Sequence, residues 1–216
     1  MKRIGRMWNT HLKDKEFVMS FLAGIAILLI SLVINFYSST YATKSASNPV
    51  TDIILSNIPV FDVDHFFIYG PWILWIFVGM ICVTKPFRIP FILKSIALFV
   101  IIRSIFISLT HIGPFPSQIL IEPSRLINDF STGGDLFFSA HTGLPFLMAL
   151  IFWQKKYLRY LFILTSIFFG AIVLLGHLHY SIDVLAAFFI TYSIYHIAEV
   201  FFKKDFVNMQ KEMAME

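Results

Sequence analysis

The stretch FVMSFLAGIAILLISLVINFY, Phe17 to Tyr37, contains no charged residue and only a few polar ones, and it decides the fold class. Crossing ~30 Å of hydrocarbon as a helix takes roughly 20 mostly apolar residues. Further mostly apolar runs follow: Phe66 to Val83, Phe91 to His111, Leu136 to Trp153, Leu158 to Gly176 and Ser181 to Phe202. Their composition agrees. Of 216 residues, 57% are hydrophobic and only 14% charged, with a mean hydropathy of +0.76. A soluble domain carries about 25% charged residues, so the sequence predicts an all-α, polytopic membrane protein with six transmembrane helices.

Small residues (Ala42, Ser45, Ala46, Ser47) follow the first run, as they would a cleaved signal segment. The run is longer than a signal core, and Asp14 and Glu16 precede it, so a retained helix is expected. One cysteine, Cys82, excludes an intramolecular disulfide and a cysteine-rich metal site. The net charge of +4 does not indicate nucleic acid, because the cations form short clusters between apolar runs. Those clusters alternate: 14 Lys and Arg fall in the N-terminal tail, the second-to-third and fourth-to-fifth loop regions and the C-terminal tail. The opposite side has only Lys44 and Arg125, with Arg103 inside a span. By the positive-inside rule both termini are expected in the cytoplasm. The expected organisation is a basic tail over 1–16, a six-span catalytic unit over 17–202 and a tail over 203–216.

Ionisable groups inside spans cost about 2.5–3.5 kcal/mol on insertion scales and each needs a reason. Lys94 lies near an end and is expected to snorkel; Glu199 is expected to pair with Lys203 four residues on. His196 reads as interfacial. Arg103 admits two readings, an outward snorkel or a guanidinium fork held to grip phosphate oxygens. The Asp62-Val63-Asp64-His65 cluster reads as a solvated loop.

Two polar blocks remain. Gly133-Gly134-Asp135-Leu136-Phe137-Phe138-Ser139-Ala140-His141-Thr142-Gly143 sets small residues and hydroxyls around His141 at a helix start, where backbone N–H groups attract anions. His177-Leu178-His179-Tyr180-Ser181-Ile182-Asp183-Val184 opens the sixth span. On a helix, His179 and Asp183 share a face, so the carboxylate can orient the imidazole and stabilise its cation. A metal held by His177, His179 and Asp183 is the alternative, but a fourth ligand at familiar spacing is missing.

These blocks resemble the sphingomyelin synthase branch of the type 2 phosphatidic acid phosphatase superfamily. Arg103 to Thr110 with Pro114 and Pro116, Gly134-Asp135 through Ser139-Ala140-His141-Thr142, and His177 to Thr191 resemble three motifs of that branch. Ala140 stands where the family usually has Gly. The resemblance implies an enzyme that moves a phosphate-bearing headgroup between lipids through a phosphohistidine, without cofactor or metal. It implies His179 as nucleophile, Asp183 as its orienting carboxylate and His141 as acid. It further implies Arg103, Ser139 and Thr142 as phosphate ligands, with Asp135 and His177 in support, on the non-cytoplasmic face. The partners implied are bilayer lipids. The wider phosphatase branch would also show Lys-x6-Arg-Pro and Ser-Arg-x5-His; neither is present, and Val173 stands six residues before His179. A phosphomonoester carries about −1.5 to −2 and a diester about −1. With so few cations on that side, transfer from a phosphodiester lipid to a ceramide- or diacylglycerol-type alcohol is favoured over lipid phosphate hydrolysis. A small transporter and a serine–histidine intramembrane protease are the readings from other classes.

Overall fold

A computed structural model describes residues 2–119 and 136–214. Its regular secondary structure is helical, with no strand among the described residues. In chain order the helices are α1 (Lys2–Leu12), α2 (Lys15–Lys44), α3 (Asp64–Thr84), α4 (Ile89–Leu109), α5 (Ala140–Ile151), α6 (Lys156–Leu175), α7 (Ser181–Phe201) and α8 (Lys203–Ala214). Five stretches, α2, α3, Pro86–Leu109, α6 and α7, are long and apolar enough to cross a membrane, and α5 is a shorter apolar helix.

The fourth span departs from expectation. Its helix begins at Ala140 rather than Leu136 and runs 12 residues, about 18 Å at 1.5 Å per residue. The four preceding residues form a non-helical strap. Irregular backbone at membrane depth is tolerated only where protein covers it and satisfies its polar groups, and Leu136, Phe138 and Ser139 are all buried. Phe138 adopts φ 33°, a strained conformation for a bulky residue. That turn drives its ring into the core, edge-on to Phe99 and Phe106 at 5.2 and 6.1 Å.

Helix α2 lies along α4 in parallel, touching it from Ser20–Lys94 near one end to the Tyr41–His111 ring pair at the other. Helices α5, α6 and α7 pack together with α4 around a core of Phe91, Phe99, Leu147, Met148, Phe152, Phe162 and Ile194. The approach of α5 is close. A Cβ on Gly143 would stand 2.7 Å from the Phe99 ring and 2.8 Å from Thr191 Oγ1. Gly143→Ala should therefore overpack the bundle by about 1–3 kcal/mol. Thermal unfolding in detergent, followed by helical circular dichroism, should show a lowered midpoint.

Several sequence expectations change at the terminal end of the bundle. Lys94 does not snorkel free: its Nζ pairs with Asp205 at 2.6 Å and donates to Ser20 Oγ at 2.7 Å. A partner became available because α8 folds back under α4. Residues 203–214 form a helix whose Met209 and Met213 are buried. Glu199 meets His196 Nδ1 at 2.6 Å instead of Lys203, since the helix breaks at Phe202 and turns Lys203 away. In the N-terminal segment, α1 is fixed by the Trp8 indole N–H, which donates to Val83 O at 2.8 Å.

Candidate active site

The strap 136–139 and the segment 177–183 meet at the end of the bundle opposite the termini. Helix α6 ends in a Schellman motif: Leu178 N donates to Val173 O at 2.8 Å and His177 N to Leu174 O at 3.0 Å. His177 occupies the left-handed position with φ 55°, where glycine would be unstrained. Its Nδ1 faces Ser117 Oγ at 2.6 Å and its ring meets Phe115 edge-on. His177 Nε2 is buried without a partner among the described residues.

The chain then runs through His179 into α7, which starts at Ser181. His179 therefore precedes the helix, so the shared-face argument does not apply as stated. The two groups still come together because the turn folds Asp183 back: its Oδ2 accepts from Tyr180 N at 3.0 Å and lies 3.4 Å from His179 Nδ1. The shorter contact on that nitrogen is to Leu136 O, at 2.8 Å. A carbonyl only accepts, so this contact requires a proton on Nδ1 and leaves Nε2 as the ring's lone-pair nitrogen. Both side chains are shielded, His179 at 7% exposure and Asp183 at 0%.

The strap also engages Arg103. Its Nε donates to Phe138 O at 3.2 Å and its Nη1 to Asn35 Oδ1 at 3.4 Å. At 6% exposure it is buried rather than snorkelled outward, because a carbonyl and an amide satisfy it inside the protein. Ser139 N donates to Asp183 O at 3.2 Å, tying α5 to α7. Truncation by Arg103→Ala would remove the guanidinium donor from the buried Phe138 carbonyl, at about 1–3 kcal/mol. Arg103→Lys should not restore stability, since an ammonium lacks the planar fork. Thermal midpoints of the two variants in detergent check this.

Where α5 begins, several buried polar atoms have no partner among the described residues: Ser139 Oγ, Thr142 Oγ1 and Asp183 Oδ1. Ser139 is the N-cap residue yet its hydroxyl caps nothing. The first-turn N–H groups of α5 have no helical carbonyl to reach. Hydroxyls, helix-start donors and a buried arginine near one another fit an anionic group better than an apolar one. His141 projects from this first turn, stacked on Phe67 at 4.1 Å and edge-on to Phe169. Its Nε2 approaches Phe67 O at 3.3 Å. It lines an apolar cavity of about 80 Å³ with Pro71, Trp75, Leu144 and Pro145.

Asp135 lies outside the described residues, as does Arg125. Asp62 and His65 are exposed, and Asp62 Oδ1 accepts from Asp64 N at 3.1 Å, as a loop carboxylate preceding a helix does. Among the described residues, no three His, Cys, Asp or Glu side chains gather closely enough to hold a metal ion. Sequence reasoning missed Asn35, an amide inside the first span whose presence there was itself a signal. It also missed the Leu136 carbonyl, which no side-chain pattern could reveal.

The model of a family described as PAP2 superfamily C-terminal matches residues 132–200. That interval includes Ser139, His141, Thr142, His177, His179 and Asp183, and excludes Arg103. The match supports the type 2 phosphatidic acid phosphatase superfamily and suggests lipid phosphatase or phosphotransferase activity. Comparison with curated proteins and with solved structures gave no match.

Proposed function

We propose that this protein is a membrane-embedded phosphotransferase of the sphingomyelin synthase type, moving a phospho-headgroup from a phosphodiester lipid to a lipid alcohol through a phosphohistidine. The observation that carries the reading is the His179 imidazole, whose Nδ1 lies 2.8 Å from Leu136 O and 3.4 Å from Asp183 Oδ2, with Asp183 O joined to the N–H of Ser139, whose buried Oγ has no partner among the described residues. In the first half-reaction the Nε2 lone pair forms an N–P bond while the P–O bond to the departing alcohol breaks. His141 supplies that oxygen with a proton. In the second half, His141 takes the proton of the acceptor hydroxyl, whose oxygen forms the new P–O bond as the N–P bond breaks. Ser139, Thr142, the helix-start N–H groups and the Arg103 charge stabilise the phosphoryl oxygens, where negative charge builds up in the transition state. Asp135 and His177 are supporting groups in this reading. A positioned acid–base such as His141 is worth ~10²–10⁴ in rate.

Charge favours a diester. The described outer end offers Arg103 and Lys44 as cations, against Asp52, Asp62, Asp64 and Asp183. A second unpaired negative charge on the substrate would be costly in so shielded a site. Purified protein given a fluorescent phosphodiester donor and a ceramide or diacylglycerol acceptor should label the acceptor faster than it releases inorganic phosphate from phosphatidic acid. The reverse ranking would make it a lipid phosphatase. Uptake of either lipid without chemical change would favour the transporter reading.

The cation asymmetry supports a site on the non-cytoplasmic face. In a Cys82→Ser background, a cysteine replacing the exposed Asn57 should react with an impermeant maleimide on intact cells. Reaction only after permeabilisation would reverse the orientation.

A further inference from the structure

The residues that separate His179 from Asp183 are held from the other side by a segment about 130 positions upstream. Asp52, in the loop between α2 and α3, is only 7% exposed. Its Oδ2 accepts from Ser181 N at 2.7 Å and from Ser181 Oγ at 2.8 Å. Its Oδ1 accepts from Ile54 N at 2.8 Å and Leu55 N at 3.1 Å. Beside it, the Tyr180 phenol donates to Gly113 O at 2.8 Å and accepts from Val50 N at 3.2 Å.

We propose that Asp52 is a positioning residue for phosphoryl transfer, fixing the first turn of α7 so that the His179 ring and Asp183 keep their mutual geometry. The inference rests on the phosphohistidine reading above. Simple anchoring of the loop would not need this carboxylate. Leu55, Leu136 and Tyr180 already form a buried apolar cluster there, joined by Ile58 and Phe115. A buried carboxylate is unfavourable unless its oxygens are satisfied, and here all the contacts on Oδ2 go to the one residue that begins α7. Burial would push the Asp52 carboxyl up, but the hydrogen bonds from Ser181, Leu55 and Ile54 outweigh it and hold it below the usual carboxylate range. The charged clamp is therefore intact at neutral pH and is lost as pH falls through that depressed value. Small displacements matter at such a site: an error of about 1 Å in a reacting group can cost 10²-fold.

The test uses the full chain in lipid nanodiscs with a fluorescent phosphatidylcholine donor and a short-chain ceramide acceptor, and reads kcat, KM and acid-labile phosphate on His179. Asp52→Asn should lower kcat per folded molecule and the rate of histidine labelling by about 10²-fold, with KM held and the thermal midpoint lowered, since the charged carboxylate also stabilises the fold. Ser181→Ala, which keeps the backbone N–H, should lose less. The double variant should be no slower than Asp52→Asn alone, because both changes break one clamp. Asp52→Asn with wild-type kcat per folded molecule, while the unaltered protein labels normally, overturns this inference alone. An additive double variant does the same. Absence of both turnover and labelling in the unaltered protein overturns the phosphohistidine reading, and this inference with it.

Discussion

His179→Ala should abolish turnover and covalent phosphate labelling together, by ~10⁴-fold or more, the scale seen when a nucleophile is deleted from a cooperating set. The expectation follows from the tautomer. Leu136 O and Asp183 both face Nδ1, so the proposed attack uses Nε2, and no other described imidazole has this arrangement. His177 is turned to Ser117 and His141 to Phe67 O. His179→Ala should leave the bundle folded, since the ring's shortest polar contact is to a strap that Arg103 and Asp183 O also hold. Folding is checked by circular dichroism, and labelling by phosphate transfer from a labelled donor lipid. A His179→Ala protein with wild-type turnover would remove His179 from the chemistry.

Asp183→Asn should be nearly as damaging to rate and much less so to structure. The carboxylate has two duties that the substitution separates. One oxygen caps α7 by accepting from Tyr180 N, and an amide oxygen can still do that. What disappears is the carboxylate 3.4 Å from His179 Nδ1, which in the proposed chemistry stabilises the imidazole as it becomes cationic on attack. Loss of the equivalent charge in a serine protease triad lowers kcat about 10⁴-fold by presenting the wrong tautomer. Here Leu136 O retains the tautomer, so a smaller loss, about 10²–10³-fold, is expected on the same principle. Steady-state kcat and the thermal midpoint, measured side by side, test the separation. A matched fall in both would show that Asp183 serves the helix start alone.

The membrane class was legible because burial in hydrocarbon selects composition directly. A charge-free run such as Phe17–Tyr37 can hardly be anything else. The candidate site was legible in part, since Arg103, Asp183 and the histidines are groups that a bilayer expels unless they are used. Boundaries failed where tertiary contacts overrode hydropathy. Leu136 to Ser139 is as apolar as a helix start, yet it is irregular because His179, Arg103 and Asp183 supply partners for its backbone.

Hydropathy is enough to specify apolar helices in a bilayer, and to mark the polar side chains that need a reason there. Periodicity and hydropathy are local properties, and they carry that much. The partners came from long-range packing. It placed His179 before α7 rather than on it, gave its Nδ1 to a main-chain carbonyl, buried Arg103 against Phe138 O and Asn35, and brought Asp52 onto Ser181. Main-chain carbonyls are the same in every residue and long-range pairing has no fixed spacing, so neither leaves a mark that composition or motif can register.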